Sequence, residues 1–279
     1  MLTLTPLSTI PLIRQDDALA DILVKALHST VIHLQDGDIL VIAQKIVSKA
    51  EGRMVNLTTI TPSQKALELA ELTEKDPRLV ELILEESNEI LRTRPGAIIV
   101  EHKLGFVCAN AGIDHSNVSP INSNDFPATV RQGKRSCSNL ATEIATTKNA
   151  EDWVLLLPEH PDHSAERIRQ EIEMTTNAHV GVLIIDSHGR AWREGTVGTA
   201  IGISGLPGLL DLRGQPDLFG FNLKITQVGV ADELAAAASL MMGQAAEGTP
   251  AVHVRGFPYP LREGSLKELL RPKEQDLFR

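Results

Sequence analysis

Apolar residues recur along the chain in two rhythms, and the changes from one to the other mark its elements. Ile10-Pro-Leu-Ile13 reads as a short strand or turn, and Asp17 to Leu27 sets Leu19, Ile22, Leu23 and Leu27 at helical spacing. Asp36-Gly-Asp38 turns the chain into Ile39-Leu-Val-Ile-Ala43, a continuous aliphatic run of the kind a strand shows when both its faces are buried. That run leads straight into the polar stretch Gln44-Lys-Ile-Val-Ser-Lys-Ala-Glu-Gly-Arg53. Thr61-Pro62-Ser63 opens a helix through Leu72, and Asp76-Pro77-Arg78 opens another that carries Leu79, Leu82, Ile83 and Ile90 on one face, with Gly96 ending the block. Ala97 to Glu101 and Gly105 to Ala109 read as two strands joined by a tight turn, followed by a polar loop that carries Asp114.

Residues 121–150 show weak periodicity, are rich in Asn, Ser and Thr, and include Arg131, Lys134 and Arg135; they read as an inserted or mobile segment. Beyond them the pattern gives a helix from Ser164 to Glu173, a buried strand from Val180 to Ile185, and a turn at Asp186-Ser-His-Gly-Arg190. Gly195 to Gly220 reads as turn-rich, Asp232 to Met242 as an Ala-rich helix, and Val252 to Arg255 as the last strand. The class is α+β, a mixed α/β chain, and no internal repeat points to a solenoid.

Composition narrows the function. With 279 residues, 42% of them hydrophobic, the chain can bury a sizeable core as one large domain or two interlocked lobes. It lacks a run of roughly 18 to 20 apolar residues and a basic-then-apolar N-terminus, so a cytoplasmic protein without membrane contact is expected. Cys108 and Cys137 are the only cysteines and lack Cys-x-x-Cys spacing, which supports neither a disulfide framework nor a thiolate zinc site. A formal charge of −9 argues against a general nucleic-acid surface, and 3% aromatics leave few stacking platforms. A small anionic ligand in a local cluster of Lys and Arg remains open.

Asp114 and Asp186 each follow an apolar run, as carboxylates held at strand ends around a hard cation would. With Ser187 and Gln244 they make an oxygen set suited to Mg²⁺ or Mn²⁺, and each taken alone is equally an ordinary turn aspartate. Lys45, Lys49 and Arg53 fall at four-residue intervals. They stand one turn apart on a face if the path is helical and spread far apart along the chain if it is extended. Neither the P-loop pattern nor Gly-x-Gly-x-x-Gly occurs, so no familiar nucleotide fingerprint is present, and no Gly-x-Ser-x-Gly elbow supports a serine hydrolase. Cys108, inside Phe106-Val-Cys-Ala109, reads as a packed thiol, and His188 as a turn residue.

Taken in order, several of these stretches resemble the coenzyme F420 γ-glutamyl ligase family over nearly the whole chain. The resemblance is carried by Gln44 to Arg53, by Gly105-Phe-Val-Cys-Ala-Asn-Ala-Gly-Ile-Asp-His-Ser-Asn117 and by Asp186-Ser-His-Gly-Arg-Ala-Trp-Arg193. Ala200-Ile-Gly202, Asp211-Leu-Arg-Gly214, Ala231 to Ala235 and Met242-Gly-Gln244 leading into Val254-Arg-Gly256 extend it.

The resemblance implies a single ligase domain over residues 1–279, with a two-lobed fold of its own, an intertwined homodimer, and binding of GTP and two divalent ions without a P-loop. The substrates implied are the coenzyme F420 precursor, L-glutamate and GTP, joined through an acyl phosphate with release of GDP. By the same resemblance Asp114, Asp186, Ser187 and Gln244 match the metal positions, with Mg²⁺ or Mn²⁺ as the ions and K⁺ as an additional cation. Ile10, Pro11, Leu12, Ile13, Gln44, Lys45, Lys49, Asn117 and the run Met242, Gly243, Gln244, Ala245, Ala246, Glu247, Gly248 and Thr249 match the GTP-contacting segments. Lys45, Lys49 and Asp114 are the expected catalytic residues. The rival readings are a related amide ligase on another carboxylate and a GTP-binding protein without ligase activity. The chain departs from the family in the roughly thirty residues between Pro120 and Leu155, a length suited to a lid. It ends soon after Arg255-Gly-Phe257, so the fused nitroreductase-like domain of some relatives is not expected.

Overall fold

A computed structural model describes residues 1–118 and 152–277. The segment read as an insertion, with Arg131, Lys134, Arg135 and Cys137, lies outside the described residues.

The aliphatic run becomes strand β2 (Ile39–Ala43), with β1 (Thr3–Pro6) the first strand of the chain. β2 is central to a five-stranded sheet of order β1-β12-β2-β8-β9, completed by β8 (Gly181–Arg190), β9 (Arg193–Ser204) and β12 (Ala251–Arg255). β2 and β8 are parallel, and the other pairings in this sheet are antiparallel. Alternation along β2 sends Leu40 and Ile42 into one core and Ile39 and Val41 into the other. The first core is closed by α1 (Leu19–Ser29) and α5 (Pro161–Thr176), and the second by α6 (Val230–Met242). Both faces are thus covered, which is why β2 reads as an unbroken apolar run.

A separate core lies under a three-stranded antiparallel sheet of β4 (Ser87–Arg94), β5 (Ala97–His102) and β6 (Val107–Ala109), packed on α3 (Gln64–Thr73) and α4 (Pro77–Glu85). The starts of both helices were legible. Ser63 Oγ accepts from Ala66 N at 3.3 Å, and Asp76 Oδ1 accepts from Arg78 N at 2.8 Å with Pro77 in the first turn. Such caps each contribute about 1 kcal/mol. Short strands β3 (Met54–Asn56) and β7 (Trp153–Leu155) pair with each other, as do β10 (Leu210–Asp211) and β11 (Gln227–Val228). Among the described residues no helix is long and apolar enough to cross a membrane.

Four expectations need correction. Residues 10–13 form neither strand nor helix, and the first strand is Thr3–Pro6, held by its partner β12. The helix expected to carry Ile90 ends at Glu85, and Ile90 belongs to β4 opposite Val100. Asp186 to Arg190 is not a turn, because β8 runs on through it and pairs with β9. Gly195 to Ser204, expected as turns, lies in the twelve-residue strand β9. In the last three cases the local residues tolerate more than one state, and pairing with the neighbouring strand of a hairpin selects one.

His102, at the end of β5, has only 2% of its surface exposed, and burial lowers its pKa to about 4, with the Arg53 charge adding to the effect. The ordinary histidine value is 6.5, so folding favours the neutral ring. Above pH 6.5 both states are neutral and the contribution is whole; it is lost as pH falls from 6.5 through about 4. Acid titration of the folded chain is expected to show a stability loss of about 3 kcal/mol from this group in that window. Urea unfolding of His102→Gln at pH 7 and pH 4.5 checks this: the variant should lose less over that interval than the parent chain.

Candidate active site

The C-terminal ends of parallel strands in an open sheet are where ligands gather. Here β2 passes directly into α2 (Gln44–Ala50), so the basic stretch takes the helical path that its spacing left open. Ala43 pairs with Ile185, which brings Gln44 and Asp186 to the same end of the sheet. They line a cleft of about 450 Å³ together with Lys45, Asp114, Ser187, His188 and the loop after α6.

Asp114 arrives from another sheet. After β6 the backbone makes three successive left-handed residues, Asn110 (φ 52°), Ala111 (φ 52°) and Gly112 (φ 64°). Such a conformation costs roughly 1–2 kcal/mol for each residue with a Cβ. Asn110 Oδ1 meets part of this by accepting from Ile98 N at 3.0 Å, and Gly112 is required twice over, since a Cβ there would lie 2.7 Å from Leu157 Cδ1. Asp114 N and O then bond Leu155 O and N at 3.0 and 2.9 Å, so β7 clamps its backbone. Strain next to a cleft carboxylate is the pattern of functional sites.

The side chains interlock. Gln44 Nε2 donates to Asp114 Oδ2 at 2.7 Å, and Lys45 Nζ stands 3.3 Å from Asp114 Oδ1 while donating to Ser116 O and Oγ at 3.1 and 2.8 Å. Burial pushes the Asp114 carboxyl up, Lys45 opposes this, and the Asp186 charge raises it further. Two carboxylates that repel each other in one cleft leave room for a positive charge between them. Ser187 Oγ donates to Gln244 Oε1 at 2.9 Å, and Gln244 Nε2 donates to Ser239 Oγ at 2.9 Å. The Gln244 carbonyl oxygen is therefore held toward Ser187. Carboxylate, hydroxyl and amide oxygens suit a hard divalent cation. Among the described residues no three of His, Cys, Asp and Glu come together as ligands, so the set depends on these neutral oxygens.

Other expected residues stand apart. Lys49 does not line the cleft; its Nζ donates to Asn117 O at 2.7 Å, and burial lowers its pKa, with Lys45 repulsion adding and Asp114 opposing. Asn117, at φ 58°, donates from Nδ2 to Ala245 O at 3.2 Å and so ties the Asp114 loop to the loop after α6. Met242, Gly243, Ala245, Glu247, Gly248 and Thr249 line the cleft, whereas Ala246 and Ile10 to Ile13 do not. Glu247 Oε2 accepts from Ala245 N at 2.8 Å, and these backbone N–H groups hold its carboxyl below the usual range.

Two contributors, Ser116 and Ser239, were not singled out in the sequence, and His188, expected as a turn residue beside Asp186, is a strand residue of the site. Ser116 holds Lys45, Ser239 orients Gln244, and His188 lies 3.0 Å from Asp186 Oδ2. Cys108 is as expected: burial pushes its thiol up to about 12, the value of a packed group and not of a nucleophile.

A cleft at the ends of the parallel strands that gathers two carboxylates, a lysine and neutral oxygens has the makings of an enzyme that pairs an anionic ligand with hard cations. Comparison with known proteins makes this specific. The F420-0:Gamma-glutamyl ligase family matches residues 8–151 and 135–256. The chain is 47% identical over 271 residues to the coenzyme F420:L-glutamate ligase of Methanothermobacter thermautotrophicus, covering 96% of this chain and 95% of that protein. It is 44% identical over 246 residues to the enzyme of the same name from Methanocaldococcus jannaschii, covering 88% and 86%. With that of Archaeoglobus fulgidus it shares 39% over 274 residues, covering 98% and 95%. The chain belongs to the F420-0:gamma-glutamyl ligase family.

Proposed function

We propose that this chain is a GTP-dependent coenzyme F420:L-glutamate ligase, which adds L-glutamate to the coenzyme F420 precursor and extends its γ-linked tail with release of GDP and phosphate. The observation that supports this most is the convergence of Lys45, Asp114, Asp186, Ser187 and Gln244 on one cleft in a chain of this family. A carboxylate oxygen of the precursor attacks the γ-phosphorus of GTP, the bond to GDP breaks, and an acyl phosphate forms. The glutamate α-amine then attacks the acyl carbon, loses a proton, and phosphate leaves as the amide bond is made.

Attack of one anion on another needs positive charge at the cleft. Lys45 supplies it by exchanging Ser116 for a phosphate oxygen. Asp114, Asp186, Ser187 and Gln244 would hold two Mg²⁺ or Mn²⁺ ions, which when bound neutralise the charge developing on the phosphoryl oxygens. K⁺ is an additional cation in this reading. Lys49 and Asn117 act through the loops they tie, setting the distance between the Asp114 turn and the Gln244 loop. An intertwined homodimer is part of the same proposal.

Incubating the purified chain with GTP, Mn²⁺, L-glutamate and deglutamylated coenzyme, and reading the products by mass spectrometry, tests it. A mass increase of one or more glutamate residues with matching GDP is expected; GDP release without a glutamylated product would sink the assignment.

A further inference from the structure

Asp114 and Asp186 reach the cleft with different supports. Asp114 has a donor fixed behind it: Gln44 Nε2 holds Oδ2 at 2.7 Å, so the other oxygen is the one beside Lys45. Ligating carboxylates generally need such a partner, which fixes their orientation. For Asp186 the group in the matching place is His188. The two lie two residues apart on β8, so their side chains leave the strand on the same face. His188 Nε2 stands 3.0 Å from Asp186 Oδ2, with both side chains nearly 90% buried (12% and 11% exposed). Nε2 is covered and engages no acceptor as an aligned hydrogen bond; Asp186 Oδ2, at 3.0 Å, is the carboxylate oxygen set against it.

The ring is held as firmly as its nitrogen is free. Phe106 lies against it, with centroids 5.2 Å apart at 47°, and Phe106 in turn stacks on His102 at 5.3 Å and 10°. The nearby carboxylate of Asp232 is already engaged, accepting from Ala200 N at 2.9 Å. A covered nitrogen beside one carboxylate oxygen is placed to orient that carboxylate and not to take a ligand of its own.

We infer that His188 is a positioning residue for Asp186, its buried Nε2 held against Oδ2 so that Oδ1 is presented to a divalent cation. This rests on the reading of Asp186 as a cation ligand. Loss of such a supporting group typically weakens metal binding about 10- to 100-fold.

The test separates the nitrogen from the ring. His188→Phe keeps an aromatic body against Phe106 and removes the donor; His188→Gln gives up the ring and restores an amide N–H. Mn²⁺ binding to the full chain without nucleotide is measured by calorimetry, with circular dichroism to verify the fold. His188→Phe is expected to raise the Mn²⁺ dissociation constant about 10-fold or more, and His188→Gln to stay within about 3-fold of the parent. A role in packing alone predicts the reverse order and would overturn the inference. So would a directly coordinated histidine nitrogen, seen as ¹⁴N coupling to bound Mn²⁺ that disappears in His188→Phe. In an Asp186→Asn background the further change to Phe should add nothing, and an undiminished effect there also counts against it. Should His188→Phe fail to fold, His188→Leu serves as the donor-free variant under the same criteria. A parent chain that binds no Mn²⁺ removes the cation reading of Asp186 and this inference with it; a parent that binds Mn²⁺ equally well with Phe at 188 removes the inference alone.

Discussion

Asp114→Asn is expected to abolish glutamate addition while leaving the fold at least as stable as before. The two halves of this result have one cause. The Asp114 carboxyl is pushed up by burial and by Asp186, so its charge is held in the fold against a cost that only Lys45 and Gln44 offset. A carboxyl raised in this way contributes stability below its unfolded value and loses it as pH rises through the folded one. At neutral pH the charge therefore works against folding. Asn removes the charge, keeps an oxygen to accept from Gln44, and leaves Lys45 its bonds to Ser116. The same charge is what a cation beside the phosphates requires, and the loss in kcat should be on the order of 10³-fold. Thermal melting without metal, alongside the product assay, checks both halves. Near-parental turnover would contradict the role given to Asp114, and a large drop in melting temperature would contradict the account of its burial.

Gly198→Ala and Gly202→Ala should each destabilise the chain by about 3 kcal/mol, the upper end of overpacking because the obstructing atoms are backbone. A Cβ at 198 would lie 2.6 Å from Ala235 O of α6, and one at 202 would lie 2.6 Å from Pro161 C and O at the start of α5. The two glycines serve opposite faces of the same strand. Gly202 pairs with Ile184 but Ala200 pairs with Ile185, so Ile201 is an extra residue and the faces exchange across it. Each helix can then approach β9 on its own side. For a chain of this size the expected fall in melting temperature is roughly 6–12 °C for each variant. Since each glycine serves a different helix, their effects should add in the double variant. A calorimetric scan showing a change below about 1 kcal/mol would refute the close-approach argument.

Those glycines also show where sequence and structure part. Along the chain they look like turn formers, yet in the fold they are strand residues made small by helices that arrive from elsewhere. The same holds for Asp186 to Arg190, whose Asp, Ser and Gly favour a turn until β9 offers partners to Asp186, Ser187, His188 and Arg190. Ile90 is apolar at helical spacing from Ile83, but the helix stops at Glu85 and β5 claims the residue. Periodicity reports which residues are to be buried, and only the partner decides in which element.

What the sequence determined by itself is considerable. The unbroken run of β2 announced a strand covered on both faces, Ser63 and Asp76-Pro77 announced their helices, and the ordered motifs announced the family. It also named the polar residues that converge in the cleft, since Gln44, Lys45, Asp114, Asp186, Ser187 and Gln244 all line it. What only the tertiary structure decided is how those residues divide their work. Lys45 faces the cleft while Lys49, one helical turn on, braces Asn117; Asn117 spans to Ala245; and His188 comes to lie against Asp186. The reason is physical: these contacts depend on a left-handed turn, a parallel strand register and a strand that outruns its apolar core, and none of these leaves a local pattern in the residues that make them.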